Sequence, residues 1–301
     1  MKIIIIGMGV QGNKRLAIAK EDVVGTVDPF KEATYKTVYD VPLDLFDSAI
    51  LCIQDDLKIE LITYLLNNKK NIMVEKPVFA VSSMQIEELQ RLAKHNNVTC
   101  YTAYNHRFEP NFIKMKEFID NNVLGKIYTV RMFYGNGTAR LVRDSKWRDQ
   151  GAGVLPDLGS HLLDTLEFWF DTKFDGFKII SATKNENKSY DNVVFGKLES
   201  PNIMLETSLL SWRNHFSADI YGEHGSAHIT SLCKWGPSKF IHRKRIIPSG
   251  RPVENSNEII SDDPTWKEEY SFFKAMIKNK ESNLNTDIWI NNILNELIRE
   301  L

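Results

Sequence analysis

Short apolar runs alternate with longer amphipathic segments over the first third of the chain. Ile3–Ile6 is an uninterrupted β-branched run, and Val23–Val27 follows it after a helical segment over 13–20. Such runs are typical of strands that are covered on both faces. The alternation continues, with strands predicted at 49–53, 71–74 and 98–104 and helices at 57–67 and 82–95. Repeated βα units predict a parallel sheet with helices on both faces.

After a predicted helix at 110–121, the apolar runs become longer and partly alternating, with polar turns between them. This pattern is typical of antiparallel strands, which we predict at 126–134, 177–183, 193–198, 203–212, 216–221 and 227–230. Further helices are predicted at 156–170, 266–278 and 287–301, and polar loops at 184–192 and 248–264. The basic cluster at 242–245 is interpreted as a solvated strand end.

Composition narrows the classes of protein to consider. The 301 residues suffice for two domains, and 43% hydrophobic with 26% charged residues is ordinary for a globular protein. A net charge of −1 argues against nucleic acid or an anionic membrane as a partner. The three cysteines have no metal-ligand spacing, so no metal site is predicted. Ile3–Ile6 is too short for a signal peptide, and no apolar stretch approaches the ~20 residues that span a bilayer, so a cytoplasmic protein is expected.

A glycine-rich turn joins the first strand to the first helix. In this turn, Gly7 permits the sharp bend, Gly9 lets a pyrophosphate approach the backbone, and Gly12 lets helix and strand pack closely. The following helix offers its N-terminal N–H groups to phosphates. Asp28, at the end of the second strand, can bind ribose hydroxyls and would repel a 2′-phosphate, which favours NAD over NADP. The predicted cofactor contacts are Gly7, Gly9, Val10, Gln11, Gly12 and Asp28; an ordinary tight turn is the alternative.

Ligands of parallel sheets sit outside the carboxyl ends of the strands, which directs attention to Glu75-Lys76-Pro77. Lys76 could orient a hydroxyl or ketone oxygen and help to move its proton. A surface lysine paired with Glu75 is the alternative.

A polar stripe is predicted on the helix that begins near Pro156. Asp157, His161 and Asp164 fall at i, i+4 and i+7, on one face. His161 can exchange a proton near neutral pH, and Asp157 can orient it or contact substrate. A solvent-exposed face is the simpler alternative.

Together these motifs resemble the Gfo/Idh/MocA oxidoreductases, the group of glucose-fructose oxidoreductase and inositol dehydrogenase. The resemblance covers nearly the whole chain: the glycine-rich turn, Glu75-Lys76-Pro77, the segment from Tyr104 to Phe108, the entry to the second domain at 124–127, Asp157 to His161, and 222–227. It implies catalytic roles for Lys76, Asp157 and His161. It also implies a Rossmann dinucleotide-binding domain over 1–106 and a substrate domain over 107–301. The second domain would be α+β with a large, mostly antiparallel, open-faced sheet that forms homodimers or homotetramers, and the last helix could pack back on the first domain.

One segment departs from the family pattern. Relatives have Thr-Pro-Asn after the third strand and a His four residues beyond that proline, where this chain has Ile53-Gln54-Asp55-Asp56-Leu57-Lys58. The resemblance implies that Ile53 and Gln54, like Glu75 and Lys76, lie near the cofactor. The two added carboxylates are expected to weaken dinucleotide affinity.

The resulting hypothesis is an NAD-dependent dehydrogenase that acts on a secondary alcohol of a sugar, cyclitol or nucleotide-linked sugar. Further substrate contacts are predicted from Tyr104, Arg107, Trp147 and Arg148, although a salt bridge at the domain junction would equally explain Arg107. Two alternatives stay open: a glycosidase that recycles a tightly bound NAD, and a non-catalytic regulator that senses dinucleotide.

Overall fold

The computed structural model describes residues 1–145 and 148–301, which divide into two compact units. Unit 1 comprises Met1–Asn105 with Thr265–Asn292, and unit 2 comprises His106–Pro264 with Ile293–Leu301. The sequence prediction assigns 107–301 to the second domain, with a last helix that could pack back on the first; in the structure, 265–292 groups with the first unit.

Unit 1 contains a five-stranded parallel sheet, as the alternation of strands and helices predicted. Its strands, β1 to β5, are Ile3–Ile6, Val23–Val27, Ser48–Leu51, Asn71–Glu75 and Cys100–Ala103. The strand order is β2-β1-β3-β4-β5, and all neighbouring strands are parallel. The connecting helices α1, α2 and α3 are Val10–Ala19, Asp55–Asn67 and Ser83–Asn96.

The uninterrupted isoleucine run of β1 is explained by two separate cores. Ile4 and Ile6 pack into a cluster on one face of the sheet, whereas Ile3 and Ile5 belong to a cluster on the other face. Successive side chains of a strand point to opposite faces, so every residue of β1 is apolar when both faces are covered.

Unit 2 is built on an eight-stranded, mostly antiparallel sheet, as predicted. Its strands, β6 to β13, are Ile127–Gly135, Lys178–Thr183, Asn192–Lys197, Asn202–Ser208, His215–Gly222, Gly225–Thr230, Ser238–Lys244 and Glu254–Ile259. The order is β13-β12-β11-β10-β6-β9-β8-β7, and β6 with β9 forms a parallel pair. Helices α4, α5 and α6 are Pro110–Asp120, Ala139–Arg143 and Ser160–Phe170.

The last two strands correct the sequence analysis. Strand β13 lies inside the predicted polar loop at 248–264, and β12 was not predicted as a strand. The last three residues of β12 do belong to the basic cluster at 242–245, which the structure thus places at a strand end, as we had interpreted it. The side chains of β13 are almost all exposed, so the strand carries no alternation of apolar and polar residues. Its hydrogen bonds to β12 define it instead, and a hydrophobic pattern cannot report them.

Two helices complete the chain: α7 is Thr265–Asn279 and α8 is Leu284–Glu300. Helix α7 belongs to unit 1 because its Tyr270, Phe273 and Met276 pack into the same cluster as Ile3 and Ile5. No helix in the described ranges is long and apolar enough to cross a membrane.

Candidate functional site

In the glycine-rich turn of unit 1, two glycines leave no room for a side chain, whereas the third glycine faces open space. A Cβ at Gly7, where φ is +91°, would overlap the carbonyl oxygen of Cys52, and a Cβ at Gly12 would overlap the oxygen of Gly7. At Gly9, by contrast, the position that a Cβ would take has no described heavy atom within 4 Å apart from those of the adjoining backbone and neighbouring residues. Gly9 is also the N-cap of α1. The turn therefore leaves the helix N-terminus open at the one glycine where a pyrophosphate must come close to the backbone.

Asp28 lies directly beside this turn. Its Oδ2 accepts a hydrogen bond from the Met8 amide at 2.8 Å, and its Oδ1 accepts bonds from the Phe30 and Lys31 amides at 2.9 and 2.8 Å. Although burial acts to raise it, the bonds from Lys31, Met8 and Phe30 hold the pKa of Asp28 below its usual value. Asp28 is therefore a fixed negative charge at the position where a ribose-binding acid is expected.

A groove of about 710 Å³ opens next to the same turn. Met8, Asn13 and Leu16 line it from the turn and α1, and the loop 31–34 after Asp28 lines its other wall together with Thr26. Its volume is in the range of small-molecule sites.

Glu75 of the Glu75-Lys76-Pro77 turn is held by a buried arginine. The Nε and Nη2 of Arg15 both lie 2.7 Å from Glu75 Oε1, and Nη2 is also 2.7 Å from Glu269 Oε2. Arg15 is 1% exposed, and its guanidinium lies 4.3 Å from the ring centre of Trp266. Although desolvation acts to lower it, the two carboxylates keep the pKa of Arg15 above its usual value. The Glu75 carboxylate, which the alternative interpretation of this turn paired with Lys76, is bound by Arg15.

The segment 53–58, which departs from the family pattern, contains an ion pair of its own. Asp55 forms an ion pair with Lys58 at 2.6 Å, and Lys58 is 1% exposed. One of the two carboxylates that were expected to weaken dinucleotide affinity is therefore compensated by a charge of the same segment.

In unit 2, His161 is held against aromatic rings. Its ring stacks on that of His106 with centroids 4.2 Å apart and an interplanar angle of 19°, and the Tyr134 ring lies 5.5 Å away. Both histidines are buried. His161 thus has a fixed orientation, and His106 is a neighbour that the spacing of residues could not identify.

The polar stripe predicted Asp157 and His161 on one regular helix, and the structure does not have this arrangement. A wider π-helical turn over Leu155–Gly159 precedes α6, so Asp157 is set off from the regular spacing of the α-helix. Such turns are frequent at functional sites. Asp157 is half-exposed, and one of its carboxylate oxygens lies 3.6 Å from Arg148 Nη2. Burial and the charge of Asp157 together raise the pKa of Tyr134, which keeps this hydroxyl protonated.

The third member of the predicted stripe, Asp164, has a structural partner. Arg107 donates to it from Nε at 3.0 Å and from Nη2 at 2.6 Å, and the same Nη2 lies 2.6 Å from Glu167. Burial raises the pKa of Asp164 to about 6, against the lowering effect of Arg107. This pair lies inside unit 2, so the structure gives Arg107 the salt-bridge role that we had kept as the alternative to substrate binding.

Tyr104 and Trp147 were also predicted to contact the substrate. Tyr104 is fully buried in unit 1, and its hydroxyl donates to Asp287 at 3.0 Å, so a substrate contact is not supported in this conformation. Trp147 lies outside the described residues.

Sequence reasoning assigned no role to Arg15, Lys58 or His106. Arg15 and Lys58 carried a weak signal, because each is a charged residue on a helix that must pack against a sheet with both faces covered. A buried charge needs a partner, but the sequence does not say which one.

A parallel sheet with this turn, followed by a unit with a large open sheet, defines a two-domain oxidoreductase with a Rossmann dinucleotide-binding domain. Residues 1–104 match the family model described as "Oxidoreductase family, NAD-binding Rossmann fold". Residues 112–228 match the model of the GFO/IDH/MocA C-terminal domain. These two models of one family together cover more than half of the chain, which belongs to the GFO/IDH/MocA oxidoreductase family.

Curated relatives match over shorter stretches. The chain is 28% identical to glucose-6-phosphate 3-dehydrogenase of Bacillus subtilis over 114 residues, which is 36% of this chain and 32% of the relative. It is 28% identical to myo-inositol 2-dehydrogenase of Thermotoga maritima over 102 residues, 34% of this chain and 30% of the relative. The chain thus spans about a third of the length of these relatives.

Solved structures match over the full length. Levoglucosan dehydrogenase in complex with NADH and levoglucosan has a TM-score of 0.83 at 16% identity, over 100% of this chain and 96% of that chain. At this level of identity the similarity shows the shared fold.

Proposed function

We propose that this protein is a dehydrogenase that uses NAD to oxidise a secondary alcohol of a sugar, a cyclitol or a nucleotide-linked sugar. The observation that carries the proposal is the turn that is open at Gly9, closed at Gly7 and Gly12, and flanked by the carboxylate of Asp28. The names of the relatives support the substrate class, because glucose 6-phosphate and myo-inositol both present secondary hydroxyls.

The residues that would hold the dinucleotide are those of the turn, Asp28, and the ends of β3 and β4. Gly7, Gly9, Val10, Gln11 and Gly12 would surround the pyrophosphate, and Ile53, Gln54, Glu75 and Lys76 would lie along the nicotinamide half. When bound, the nicotinamide supplies the hydride acceptor of the reaction. The negative charge of Asp28 favours NAD, since it would repel a 2′-phosphate.

The protein's own task is to move one proton. His161 takes the proton of the substrate hydroxyl on a ring nitrogen, and its stack on His106 keeps the ring oriented. The ammonium of Lys76 donates a hydrogen bond to the same oxygen, which stabilises the negative charge that develops there. Asp157 binds the substrate or orients His161, and Arg148 beside it contacts the substrate.

The same proposal includes a homodimer or homotetramer joined through the eight-stranded sheet, in the cytoplasm. Among the predicted substrate residues, Trp147 also stays in the proposal. Neither nucleic acid nor a membrane has a part in it.

The test is nicotinamide reduction at 340 nm with a panel of polyols, sugar phosphates and nucleotide sugars. With the best substrate, we expect Lys76→Met and His161→Gln each to lower kcat by about 100-fold, the size of a general acid–base contribution. Both variants should still bind NADH, which fluorescence measures. His95→Gln, at an exposed position of α3, is the matched control and should leave kcat unchanged.

Four results would contradict the proposal. Wild-type rates in both variants would refute the proposed roles of Lys76 and His161. Failure of the wild-type protein to bind NADH would refute the proposed cofactor. NAD that co-purifies with the protein, together with sugar release and no net reduction, would indicate the glycosidase instead. Dinucleotide binding without turnover of any substrate would indicate a regulator.

A further inference from the structure

We propose that Lys58 is a positioning residue that fixes the Glu75-Lys76-Pro77 turn and thereby places Lys76 for the reaction. This inference rests on the proposed function, because it takes Lys76 as the group that acts on the substrate oxygen. It concerns residues of unit 1 alone.

The geometry around the Lys58 ammonium accounts for all three of its N–H donors. Its Nζ donates to the carbonyl oxygen of Glu75 at 2.6 Å and to that of Pro77 at 2.7 Å, and it pairs with Asp55 at 2.6 Å. The two carbonyl groups bracket Lys76 in the chain. One lysine thus ties together the main chain on both sides of the proposed catalytic residue.

The burial of Lys58 shows that these bonds are its main role. The side chain is 1% exposed, although lysine is almost never buried unless it is paired. Its helix, α2, begins at Asp55, so helix geometry brings the acid and the lysine together at i and i+3. The aspartate compensates the charge, and the turn provides the other two acceptors.

A second cation holds the side chain at the start of the same turn. Arg15, from α1, binds Glu75 Oε1 through two nitrogens. Arg15 therefore fixes the Glu75 side chain, whereas Lys58 fixes the main chain. Because the turn is held at these points, the Cα of Lys76 has little freedom, and its ammonium is restricted to what its own side-chain torsions allow.

Loss of the Lys58 ammonium would leave the buried Pro77 carbonyl and the partly buried Glu75 carbonyl without this donor. Unsatisfied buried carbonyl groups are costly, so the turn would shift to find water or other donors. A misplacement of about 1 Å can lower a rate by about 100-fold. Most of the proposed dinucleotide contacts come from the glycine-rich turn and Asp28, which Lys58 does not hold, so dinucleotide affinity should change less than kcat.

The experiment compares Lys58→Met with a matched control, Lys70→Met. Lys70 also donates from Nζ to two main-chain carbonyl groups, those of Leu43 and Phe46, but these lie outside the 75–77 turn. For each variant we would measure kcat and KM with the best polyol, NADH binding, and amide hydrogen exchange of the segment 73–80 by mass spectrometry.

We expect Lys58→Met to lower kcat by about 10- to 100-fold while the KM for NAD stays within about threefold of the wild-type value. Exchange of the segment 73–80 should become at least about tenfold faster, because its local stability falls. Lys70→Met should leave both kcat and the exchange of this segment at wild-type values. A general loss of stability would speed exchange throughout unit 1 of Lys58→Met, whereas the proposal confines the faster exchange to the segment 73–80.

Unchanged exchange of 73–80 in a folded Lys58→Met protein would overturn the proposal, and so would faster exchange with a wild-type kcat. If this variant does not fold, Asp55→Ala is the second test, because Asp55 is half-exposed and supplies one of the three acceptors. Wild-type exchange and kcat in Asp55→Ala would then overturn the proposal. If the wild-type protein turns over no polyol, the proposed function fails, and the exchange arm still decides whether Lys58 holds the turn.

Discussion

Glu269 shares the buried guanidinium of Arg15 with Glu75, and this arrangement has a measurable pH dependence. Glu269 is fully buried on α7, 2.7 Å from Arg15 Nη2, and accepts a hydrogen bond from the Tyr101 hydroxyl at 3.3 Å. Burial raises the pKa of Glu269 from 4.5 to about 7; Arg15 opposes this rise and the charge of Glu75 adds to it. A single guanidinium therefore compensates Glu75, and Glu269 is protonated below neutral pH.

The sign and size of the effect follow from the difference between the folded and unfolded states. Because the pKa of Glu269 is higher in the folded protein, its protonation stabilises the fold fully below pH 4.5, and this stabilisation is lost as the pH rises through about 7. A rise from 4.5 to about 7 corresponds to about 3 kcal/mol. Glu269→Gln keeps the shape of a neutral carboxyl but cannot titrate. Relative to this variant, the wild-type protein should lose about 3 kcal/mol of unfolding free energy between pH 4 and pH 8.

The assay is urea denaturation of both proteins at one-unit steps from pH 4 to pH 8, at constant ionic strength. Glu268→Gln is the matched control, since Glu268 is the exposed neighbour on the same helix. Its unfolding free energy should follow that of the wild-type protein at every pH. A constant difference between wild type and Glu269→Gln over the whole range would refute the reasoning, because the carboxyl would then have the same pKa in both states.

Two further predictions concern the glycine-rich turn and the Arg107 pair. Gly12→Ala should destabilise unit 1, because the added Cβ overlaps a backbone oxygen. Gly9→Ala should keep the wild-type Tm but weaken NADH binding at least about tenfold. If the two variants had equal Tm values and equal NADH affinity, the geometry of the turn would be contradicted. Arg107→Met should cost about 3 kcal/mol at pH 8, and less at pH 5, where the buried Asp164 takes up a proton. Lys116→Met, which removes exposed ion pairs, should cost less than about 1 kcal/mol in the same urea titrations, and a similar cost for both would count against a structural role of Arg107.

The parts of the fold that could be predicted are those where buried positions produce a hydrophobic pattern in the sequence. The run Ile3–Ile6 indicated a strand covered on both faces, and the structure confirms both the parallel sheet and its two cores. Strand β13 has exposed side chains, so hydrogen bonds to β12 define it and no hydrophobic pattern was available. The place of α7 in unit 1 depended on which core its apolar face would join, and helical periodicity does not carry that information.

The candidate site likewise has parts that could be predicted from the sequence and parts that could not. The glycine-rich turn and Asp28 could be predicted because each glycine answers a local backbone requirement. The partners of Glu75 could not, because Arg15 and Glu269 lie far away along the chain and meet Glu75 through tertiary packing. The assignment of Arg107 stayed open for the same reason, since the sequence showed two carboxylates on α6 without showing that a guanidinium reaches them.

The departure from the family pattern after β3 takes on a different meaning once its contacts are known. Considered alone, Asp55 adds a negative charge near a site for an anionic dinucleotide, which led us to expect a weaker affinity. In the structure, Asp55 pairs with Lys58. Lys58 occupies the position where the family resemblance implies a histidine. The acid and the lysine therefore act together: the lysine donates hydrogen bonds to the turn around Lys76, and the acid compensates the buried charge of the lysine. Removing Asp55 would leave a buried ammonium without its counter-ion, so its loss should cost stability of the turn rather than improve the binding of NAD.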